Sequence, residues 1–538
     1  MAISMMVGQW EKEFMGHAVV CLVVATIFLA DITGSGVWFS FMSSHMLNGV
    51  FYKDMIAEMG FLDPRAFAER YYVQYPSLTV AIYPPFFYII EALLFTLFGI
   101  STTVAKLGVS LFTLVGASAF LRLLRLWFPL WLSVIGSVLF LLQPSVLFAQ
   151  KNVMLEMPFL SMSIVALYFL IVATERESHW AAFLAPLFSA VAFLTRQSAV
   201  FLIPIWLGWV IFGKNWRLCR SVHFILGAMA GAVIVMPWVV LNFTTGRGHL
   251  AHLEFGGSNI WPNSLFYLEH FSEIITLPVL VLCILGVLLL WTFRKRDSYR
   301  FAVLWAGSAL FFLLPMKLSE YRYAIGLIPA LIMLCMDVIC RFKSSVESLS
   351  QGKKTWVGFV VVLVFFHASP HTVWDSPDIR GFDKAADFVC NDMHCVSVLY
   401  DGYHNSNFIL HMRMRDKEKR VFVFRASKVV FSTRFHIEMG YHDLIKKLSD
   451  FHGLLNRYSI KYIIQEEKDA IGTPANRRLR KWIKGPTFRL VQQFPLSDGN
   501  SQGCGNLLVY EYLDYVEKPL RDIELDMPSM GRKISVTF

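Results

Sequence analysis

The sequence predicts a polytopic α-helical membrane protein, with about 11 transmembrane helices and a C-terminal α/β domain outside the cytoplasm. Of the 538 residues, 56% are hydrophobic and 16% are charged, whereas a soluble domain has about 25% charged residues. The apolar excess ends near Pro370, and the chain from Asp375 to Phe538 is rich in charged residues. We therefore predict a transmembrane domain over residues 1–370 and a soluble domain over residues 371–538.

Eleven apolar segments are candidates to cross a bilayer, which takes about 17–25 residues. They lie near residues 15–31, 103–124, 129–148, 157–174, 181–195, 198–213, 222–242, 273–293, 301–316, 322–340 and 355–369. A twelfth segment, 84–99, is short, opens with Pro84-Pro85 and carries Glu91 in its middle. We predict that this segment lies as a juxtamembrane helix at the outer surface.

The distribution of Lys and Arg sets the orientation, because cytoplasmic loops are enriched in both. Eleven crossings from a cytoplasmic N-terminus put most basic residues inside, among them Arg294, Lys295 and Arg296. The net charge of +10 is thereby explained by orientation, without nucleic acid as a partner. We predict a multi-pass protein of the plasma (inner) membrane with its C-terminal domain extracytoplasmic.

Several polar residues then face the outer side together with the first external loop, 32–102. In Lys151-Asn-Val-Met-Leu-Glu156, a basic and an acidic residue lie at the start of a predicted helix. Moving a charged side chain from there to the bilayer centre would cost about 2.5–3.5 kcal/mol of free energy. Arg196 and the run Glu320-Tyr321-Arg322-Tyr323 flank other apolar spans. External loops are polar in any case, so their convergence on one site is a hypothesis for the structure to decide.

No metal site is predicted. His249 and His252 in loop 243–272 have no third ligand in a matching register, and Cys390 and Cys395 have no second ligand pair. The two cysteines leave a disulfide bridge open if their domain lies outside the cytoplasm. The aromatic residues of loop 243–272 are more typical of a sugar cleft or of a membrane interface.

Four passages over residues 15–370 resemble GT-C-fold glycosyltransferases of the group that contains bacterial aminoarabinose transferases and protein O-mannosyltransferases. They are Tyr83-Pro84-Pro85 through Phe98-Gly99, Asn152-Val-Met-Leu-Glu156-Met-Pro158, Leu194-Thr195-Arg196-Gln197, and Glu320-Tyr321-Arg322-Tyr323 before Pro329. The resemblance implies an inverting transfer of a sugar from a polyprenyl-phosphate carrier, at the outer face, to a glycan, lipid or protein acceptor. No cofactor is required by it, and a divalent cation is left open.

The resemblance also implies roles for individual residues. A catalytic Asp is expected near the end of the first span, with Asp31 as first candidate and Asp54 as reserve, and Glu156 would orient the acceptor or share the task of the base. Lys151, Arg196 and Arg322 are the candidates to bind the donor phosphate. Tyr83, Glu320 and Tyr323 would line the substrate cleft, where Tyr83 stands in the place of the family's common Lys.

The soluble domain is predicted to be mixed α/β, with strands at 396–400, 420–424, 462–465 and 506–512 and a helix at 441–458. It contains no nucleophile triad or phosphate loop, and we expect it to cover the site or recruit the acceptor. Two alternatives remain open: a transporter or flippase of lipid-linked glycan, and a non-catalytic scaffold of cell-envelope assembly. The scaffold predicts that Glu156→Gln has no phenotype.

Overall fold

The computed structural model describes most of the chain. The described ranges are 2–32, 40–80, 82–245, 256–289, 296–317, 319–347, 379–433, 441–468, 472–497, 505–527 and 532–538. Three predicted features fall outside these ranges: the span 355–369, residues 246–255 of loop 243–272, and Cys504. Cys390 and Cys395 are both free thiols, so the bridge that the sequence left open is not formed.

The first part of the chain is helical. Its α-helices are α1 (Ala2–Asp31), α2 (Ser40–Ala57), α3 (Pro64–Gln74), α4 (Phe86–Phe98), α5 (Thr102–Leu124), α6 (Leu130–Leu141), α7 (Pro144–Lys151), α8 (Glu156–Glu175), α9 (His179–Thr195), α10 (Leu202–Phe212), α11 (Trp216–Cys219), α12 (Val222–Thr245), α13 (Ile260–Glu269), α14 (Phe271–Ile274), α15 (Leu277–Leu288), α16 (Asp297–Leu313) and α17 (Ile328–Glu347). Short 3₁₀ turns lie at Gly60–Leu62, Gln197–Phe201, Gly257–Asn259 and Tyr321–Leu327.

Five helical segments of the described chain are long and apolar enough to cross a membrane. They are Glu11–Asp31, Thr102–Leu124, Glu156–Glu175, Val222–Asn242 and Tyr321–Arg341. The predicted span 129–148 is instead a pair of helices, α6 and α7, bent by 65°. The bend falls where Pro144 opens α7, because proline cannot donate a backbone hydrogen bond and is tolerated in a first turn. The number of eleven crossings stays a prediction.

Helix α8 is the central element, buried along most of its length and packed between α5 and α9. Its 20 residues span about 30 Å at 1.5 Å per residue, which matches the hydrocarbon thickness of a bilayer. Glu156 begins the helix and Glu175 ends it, so the two carboxylates lie at opposite edges of the apolar slab. This helix therefore fixes the depth of the candidate site.

The loop after α1 is folded into α2, α3 and α4. Helix α2 packs against α4, and the approach is close where Gly49 lies against the buried side chain of Glu91. Asp63 caps α3 by accepting a hydrogen bond from the backbone N–H of Ala66 at 3.1 Å, as expected of an N-cap. Helix α4 has 13 residues and is too short to span about 30 Å; its surface position stays a prediction.

The C-terminal part is α/β. Its elements are α18 (Phe382–Asn391), β1 (Ser397–Asp401), α19 (Asn405–Arg415), β2 (Phe422–Arg425), α20 (Ala426–Val429), β3 (Phe431–Thr433), β4 (Tyr441–Asp443), α21 (Leu448–Arg457), β5 (Ile460–Glu466), α22 (Pro474–Trp482), β6 (Phe488–Leu496), β7 (Gly505–Tyr512), β8 (Asp522–Met527) and β9 (Arg532–Thr537). The main sheet has the order β2-β1-β5-β7-β6, with β1 parallel to both neighbours and β7 antiparallel to β5 and β6.

The four predicted strands correspond to β1, β2, β5 and β7 and are confirmed. The predicted helix over 441–458 is wrong in its first part, because Tyr441 pairs with Thr433 in the two-stranded sheet β3-β4 and the helix begins only at Leu448. Strand partners distant in the chain cannot be read from local periodicity, which explains the error.

The α/β part contacts α2 directly. Ser43 Oγ donates to Asn407 Oδ1 at 2.7 Å, Ser44 Oγ donates to Ser406 Oγ at 2.9 Å, and Ser40 Oγ donates to the backbone oxygen of Tyr403 at 3.2 Å. Helix α2 thus lies between the helical part and the C-terminal domain.

Candidate active site

A buried cluster of opposite charges lies at the start of α8. Glu156 Oε1 is 2.7 Å from Arg196 Nη1 and 3.8 Å from Arg322 Nε. The side chains of Glu156 and Arg322 are 5% and 9% exposed, so all these charges are largely removed from water. A buried charge is costly unless it is paired, which explains why the carboxylate and the two guanidinium groups occur together.

The local backbone places each arginine at an interruption between helices. Arg196 is the extended C-cap residue of α9 and precedes the 3₁₀ turn Gln197–Phe201. Arg322 lies in the 3₁₀ turn Tyr321–Leu327 that leads into α17. Both side chains therefore leave the ends of apolar helices, and they meet at the first turn of α8, where an acidic side chain is favoured by the helix dipole.

Aromatic rings surround the guanidinium groups. Tyr323 lies with its ring centroid 5.0 Å from Arg196 Cζ and 5.4 Å from Arg322 Cζ, and the ring of Phe41 is 5.6 Å from Arg322 Cζ. These are cation–π distances. Rings that pack on planar guanidinium faces leave the N–H edges to point elsewhere, which is the geometry needed to bind an oxyanion.

Tyr83 joins the cluster from the loop between α3 and α4. Burial raises the pKa of Tyr83 to about 12, with Tyr323, Arg196 and Glu156 among the charges that act on it. Its loop is tied to the neighbouring turn, since Gln197 Nε2 donates to the backbone oxygen of Ile82 at 2.6 Å. The aromatic ring thus occupies the region where the sequence analysis expected the substrate cleft.

His45 of α2 was not identified from the sequence and also lies at the cluster. Its ring centroid is 5.2 Å from that of Tyr83, and the charges of Glu156, Arg322 and Arg196 all act on its ring. Burial, opposed by Glu156 and reinforced by the arginines, lowers the pKa of His45 to about 4. His45 is therefore uncharged at neutral pH. A single histidine in a segment without clear periodicity carried no usable signal.

Glu320 lies at the edge of the same cluster, with its Oε2 2.5 Å from Arg322 Nε and a side chain that is 43% exposed. Lys151 is the last residue of α7, five positions before Glu156, and it is buried. The structure thus brings Glu156, Arg196 and Arg322 together with the neighbouring residues of the predicted cleft, which are Tyr83, Glu320 and Tyr323.

Asp31 and Asp54 have other charged partners. Asp31, the last residue of α1, is 2.7 Å from Lys106 Nζ of α5, a cation that sequence reasoning missed because it lies inside the apolar segment 103–124. Asp54 is buried and bound by Arg413 of the C-terminal domain at 2.6 Å. No described contact joins either aspartate to Glu156, and the partner of Asp54 in the C-terminal domain gives it the geometry of an anchor between domains.

Within the described ranges, no group of three or more His, Cys, Asp or Glu side chains is arranged to hold a metal ion. The cluster is instead rich in donors, because two guanidinium groups with five N–H groups each face the carboxylates of Glu156 and Glu320. Such an arrangement suits a bound anion that could use the remaining N–H groups of both arginines.

Comparisons with known proteins identify the fold. Residues 83–241 match the family described as dolichyl-phosphate-mannose-protein mannosyltransferase. No match to the chain was found among curated proteins.

Solved structures agree with this family match. The structure of ArnT from Cupriavidus metallidurans bound to undecaprenyl phosphate has a TM-score of 0.58 at 15% identity, covering 94% of this chain and 98% of that chain. The apo oligosaccharyltransferase of Archaeoglobus fulgidus has a TM-score of 0.55 at 11% identity, covering 84% and 69%. This protein has the GT-C fold of membrane glycosyltransferases.

Proposed function

We propose that this protein transfers a sugar from a polyprenyl-phosphate carrier to a lipid, polysaccharide or protein acceptor at the outer face of the membrane. The observation that carries the proposal is the buried cluster of Glu156, Arg196 and Arg322 at a membrane edge. Its place in a GT-C fold, and the undecaprenyl phosphate bound to the similar ArnT, favour a lipid-linked phosphate as the ligand.

Arg196 and Arg322 would bind the phosphate. In glycosyl transfer the acceptor oxygen forms a bond to the anomeric carbon, the bond between that carbon and the phosphate oxygen breaks, and its electron pair goes to the phosphate oxygen. Cations fixed beside the oxygen stabilise the charge that develops there. A guanidinium group can reach two phosphate oxygens at once, and Glu156 would keep both groups in place when no substrate is bound.

A small cavity of about 60 Å³ adjoins the cluster. Its lining includes Arg196 and Tyr323 together with Phe159, Phe201 and Phe312. The cavity thus places apolar side chains next to a cation, and an isoprenoid phosphate needs both, since its phosphate requires donors and its chain requires hydrocarbon.

The base that takes the proton of the acceptor hydroxyl would be Asp31, by resemblance to the family. It ends α1 and lies 2.7 Å from Lys106 Nζ. Glu156 is engaged by two arginines, which makes orientation of the acceptor its better role. Lys151 is kept as a third candidate for phosphate binding.

The positive-inside rule supports the outer location. The cluster lies at the start of α8, whereas Arg176 directly follows the end of α8. The contacts of α2 with the C-terminal domain support a position of that domain on the same side as the cluster. We therefore propose an extracytoplasmic C-terminal domain and a cytoplasmic edge at Arg176.

The test uses purified full-length protein in lipid with a panel of radiolabelled polyprenyl-phosphate sugars, following label out of the carrier. We expect release by the wild type, and its loss in Asp31→Asn and Glu156→Gln with folding intact. Arg217→Gln, at an arginine that is 96% exposed, is the matched control and should release label like the wild type.

Two outcomes would contradict the proposal. Absence of release from every carrier together with movement of a lipid-linked glycan across the bilayer would identify a flippase. Full activity of both Asp31→Asn and Glu156→Gln would remove the proposed mechanism even if release occurred.

A further inference from the structure

A chain of hydrogen bonds runs from the backbone of the first external loop to His45. The backbone N–H of Thr79 donates to Asn48 Oδ1 at 3.0 Å, and Asn48 Nδ2 donates to Thr79 Oγ1 at 2.7 Å. The Asn48 side chain also hydrogen-bonds to Tyr88, and the Tyr88 hydroxyl is 2.7 Å from His45 Nδ1. Each link lies within buried or partly buried surroundings.

The donor and the acceptor of each hydrogen bond in this series can be assigned by starting from the backbone N–H of Thr79. A backbone N–H can only donate, so the Asn48 atom that receives it is the amide oxygen, and the amide nitrogen is the atom left to donate to Tyr88. The Tyr88 hydroxyl must then donate its own proton, and its remaining hydrogen-bond partner in the described structure is His45 Nδ1. Leaving that buried donor unpaired would cost about 1–3 kcal/mol.

The tautomer of His45 follows from this direction. If Tyr88 donates to Nδ1, then Nδ1 is the acceptor, and the ring proton of the neutral imidazole resides on Nε2. No described residue hydrogen-bonds to Nε2. His45 therefore has a spare N–H donor at a site where the charges of Arg322 and Arg196 also act on its ring.

We propose that the Nε2–H of His45 is a further donor, beside Arg196 and Arg322, to the phosphate of the polyprenyl-phosphate carrier. This inference rests on the proposed function and names a residue of the same site. A neutral donor adds a hydrogen bond to the phosphate without adding a third positive charge beside two buried arginines, which would repel it.

Tyr88 and Asn48 are positioning residues in this scheme, because they act through His45. They hold the imidazole in one tautomer, in the way that partners of the second ring nitrogen fix ligand histidines elsewhere. Because the pKa of His45 is about 4, its donor is present unchanged over the range from about pH 5 to pH 9.

The first measurement is binding of a short-chain polyprenyl phosphate to the full-length protein in nanodiscs, without any turnover. His45→Ala should raise Kd about 10-fold or more, the value expected for a hydrogen bond to a charged group. His45→Gln keeps an N–H donor at a comparable reach and should recover most of the affinity. Tyr88→Phe should give an intermediate loss, and the thermal unfolding of all three variants establishes that they are folded.

The second measurement is ¹⁵N NMR of histidine-labelled protein, with His45→Gln as the difference control that isolates the signals of this ring. We expect a protonated Nε2 and an unprotonated Nδ1 in the wild type, and a mixture of tautomers in Tyr88→Phe. A proton on Nδ1 in the wild type, or wild-type affinity in His45→Ala, would overturn the inference alone. Failure of the wild type to bind or cleave any polyprenyl phosphate would instead remove the proposed function and this inference together.

Discussion

Arg413 binds the carboxylate of Asp54 through three hydrogen bonds. Its Nη2 donates to Oδ1 at 2.8 Å and to Oδ2 at 2.6 Å, and its Nε donates to Oδ2 at 2.9 Å. The Tyr71 hydroxyl adds a further bond to Oδ2 at 2.9 Å. Since Asp54 belongs to α2 and Arg413 to α19, a buried ion pair joins α2 to the C-terminal domain.

We predict that Asp54→Asn uncouples the two domains rather than removing a catalytic base. Breaking a buried pair leaves an uncompensated charge and costs roughly 3–5 kcal/mol. Thermal unfolding should shift to lower temperature, and limited proteolysis should release the C-terminal domain sooner. Arg413→Met should reproduce both effects.

The exposed pair of Arg457 and Glu524, at 3.9 Å, provides the control, because Arg457→Met should change stability by less than about 1 kcal/mol. If Asp54→Asn abolished sugar release at unchanged stability while Arg413→Met remained active, Asp54 would be the base after all.

A second prediction concerns the shape of the Arg322 side chain. Arg322→Lys keeps the charge but loses the planar fork that faces Glu156, Glu320 and the ring of Tyr323. We expect kcat/KM for the lipid-linked donor to fall about 10- to 100-fold, since a lysine cannot bind two phosphate oxygens in the same way. The fall should appear in steady-state kinetics with varied donor.

Arg217→Lys, at an exposed arginine beside Glu177, just after the end of α8 opposite to Glu156, should keep the wild-type value. Equal donor kinetics in Arg322→Lys and the wild type would show that Arg322 serves only to neutralise Glu156.

The parts of the site that the sequence predicted share one property. Glu156, Arg196 and Arg322 each interrupt or flank an apolar run, where the cost of burying a charge makes a polar residue conspicuous. Their common orientation followed from the positive-inside rule, and the structure brings the three side chains together. The strongly alternating or apolar strands β1 and β5 were predictable for a similar reason, namely a local pattern.

The remaining parts depend on contacts between distant positions. Asp54 and Arg413 are 359 positions apart, and no local pattern reveals that the carboxylate is already bound. His45 is hydrogen-bonded to Tyr88, which lies 43 positions later in the chain. The sequence of helix α2 has no amphipathic pattern that would single out His45. Lys106 was assigned to an apolar span, where its partner Asp31, 75 positions earlier, could not be recognised.

A third prediction concerns the close packing of α2 and α4. A Cβ atom at Gly49 would overlap the carboxyl group of Glu91, which is fully buried and has no hydrogen-bond partner in the described structure. We expect Gly49→Ala to destabilise the protein by about 1–3 kcal/mol, as overpacking does, measured by thermal unfolding in detergent.

The glutamate itself is the test of this explanation. The double variant Gly49→Ala, Glu91→Ala should regain most of the lost stability, since the second change removes the overlapping atoms. Gly307→Ala is the control, because a Cβ there meets nothing within 4 Å and alanine is favoured in a helix. If the double variant were no more stable than Gly49→Ala, overlap with Glu91 would not be the cause of the lost stability.

The last prediction is a pH dependence that arises from Lys428 in the C-terminal domain. The side chain is buried in α20, and burial together with the nearby Arg425 lowers its pKa from 10.5 to about 7, although Asp526 acts in the opposite direction. Above pH 7 the folded protein therefore holds this lysine neutral, whereas the unfolded chain keeps it protonated up to about pH 10.5. The unfolded state binds more protons in this window, so stability should rise as pH increases from 7 to 10.

Lys428→Met keeps the length and apolar character of the side chain and removes the proton. We expect this variant to be more stable than the wild type at pH 7, by roughly 1–3 kcal/mol, and the difference to shrink toward pH 10. Thermal unfolding of both proteins at pH 7, 8.5 and 10 measures it, and other titrating groups cancel in the comparison. A constant difference across the series would mean that Lys428 remains charged in the folded protein, with its ammonium group reaching water or holding Asp526 more closely than its burial indicates.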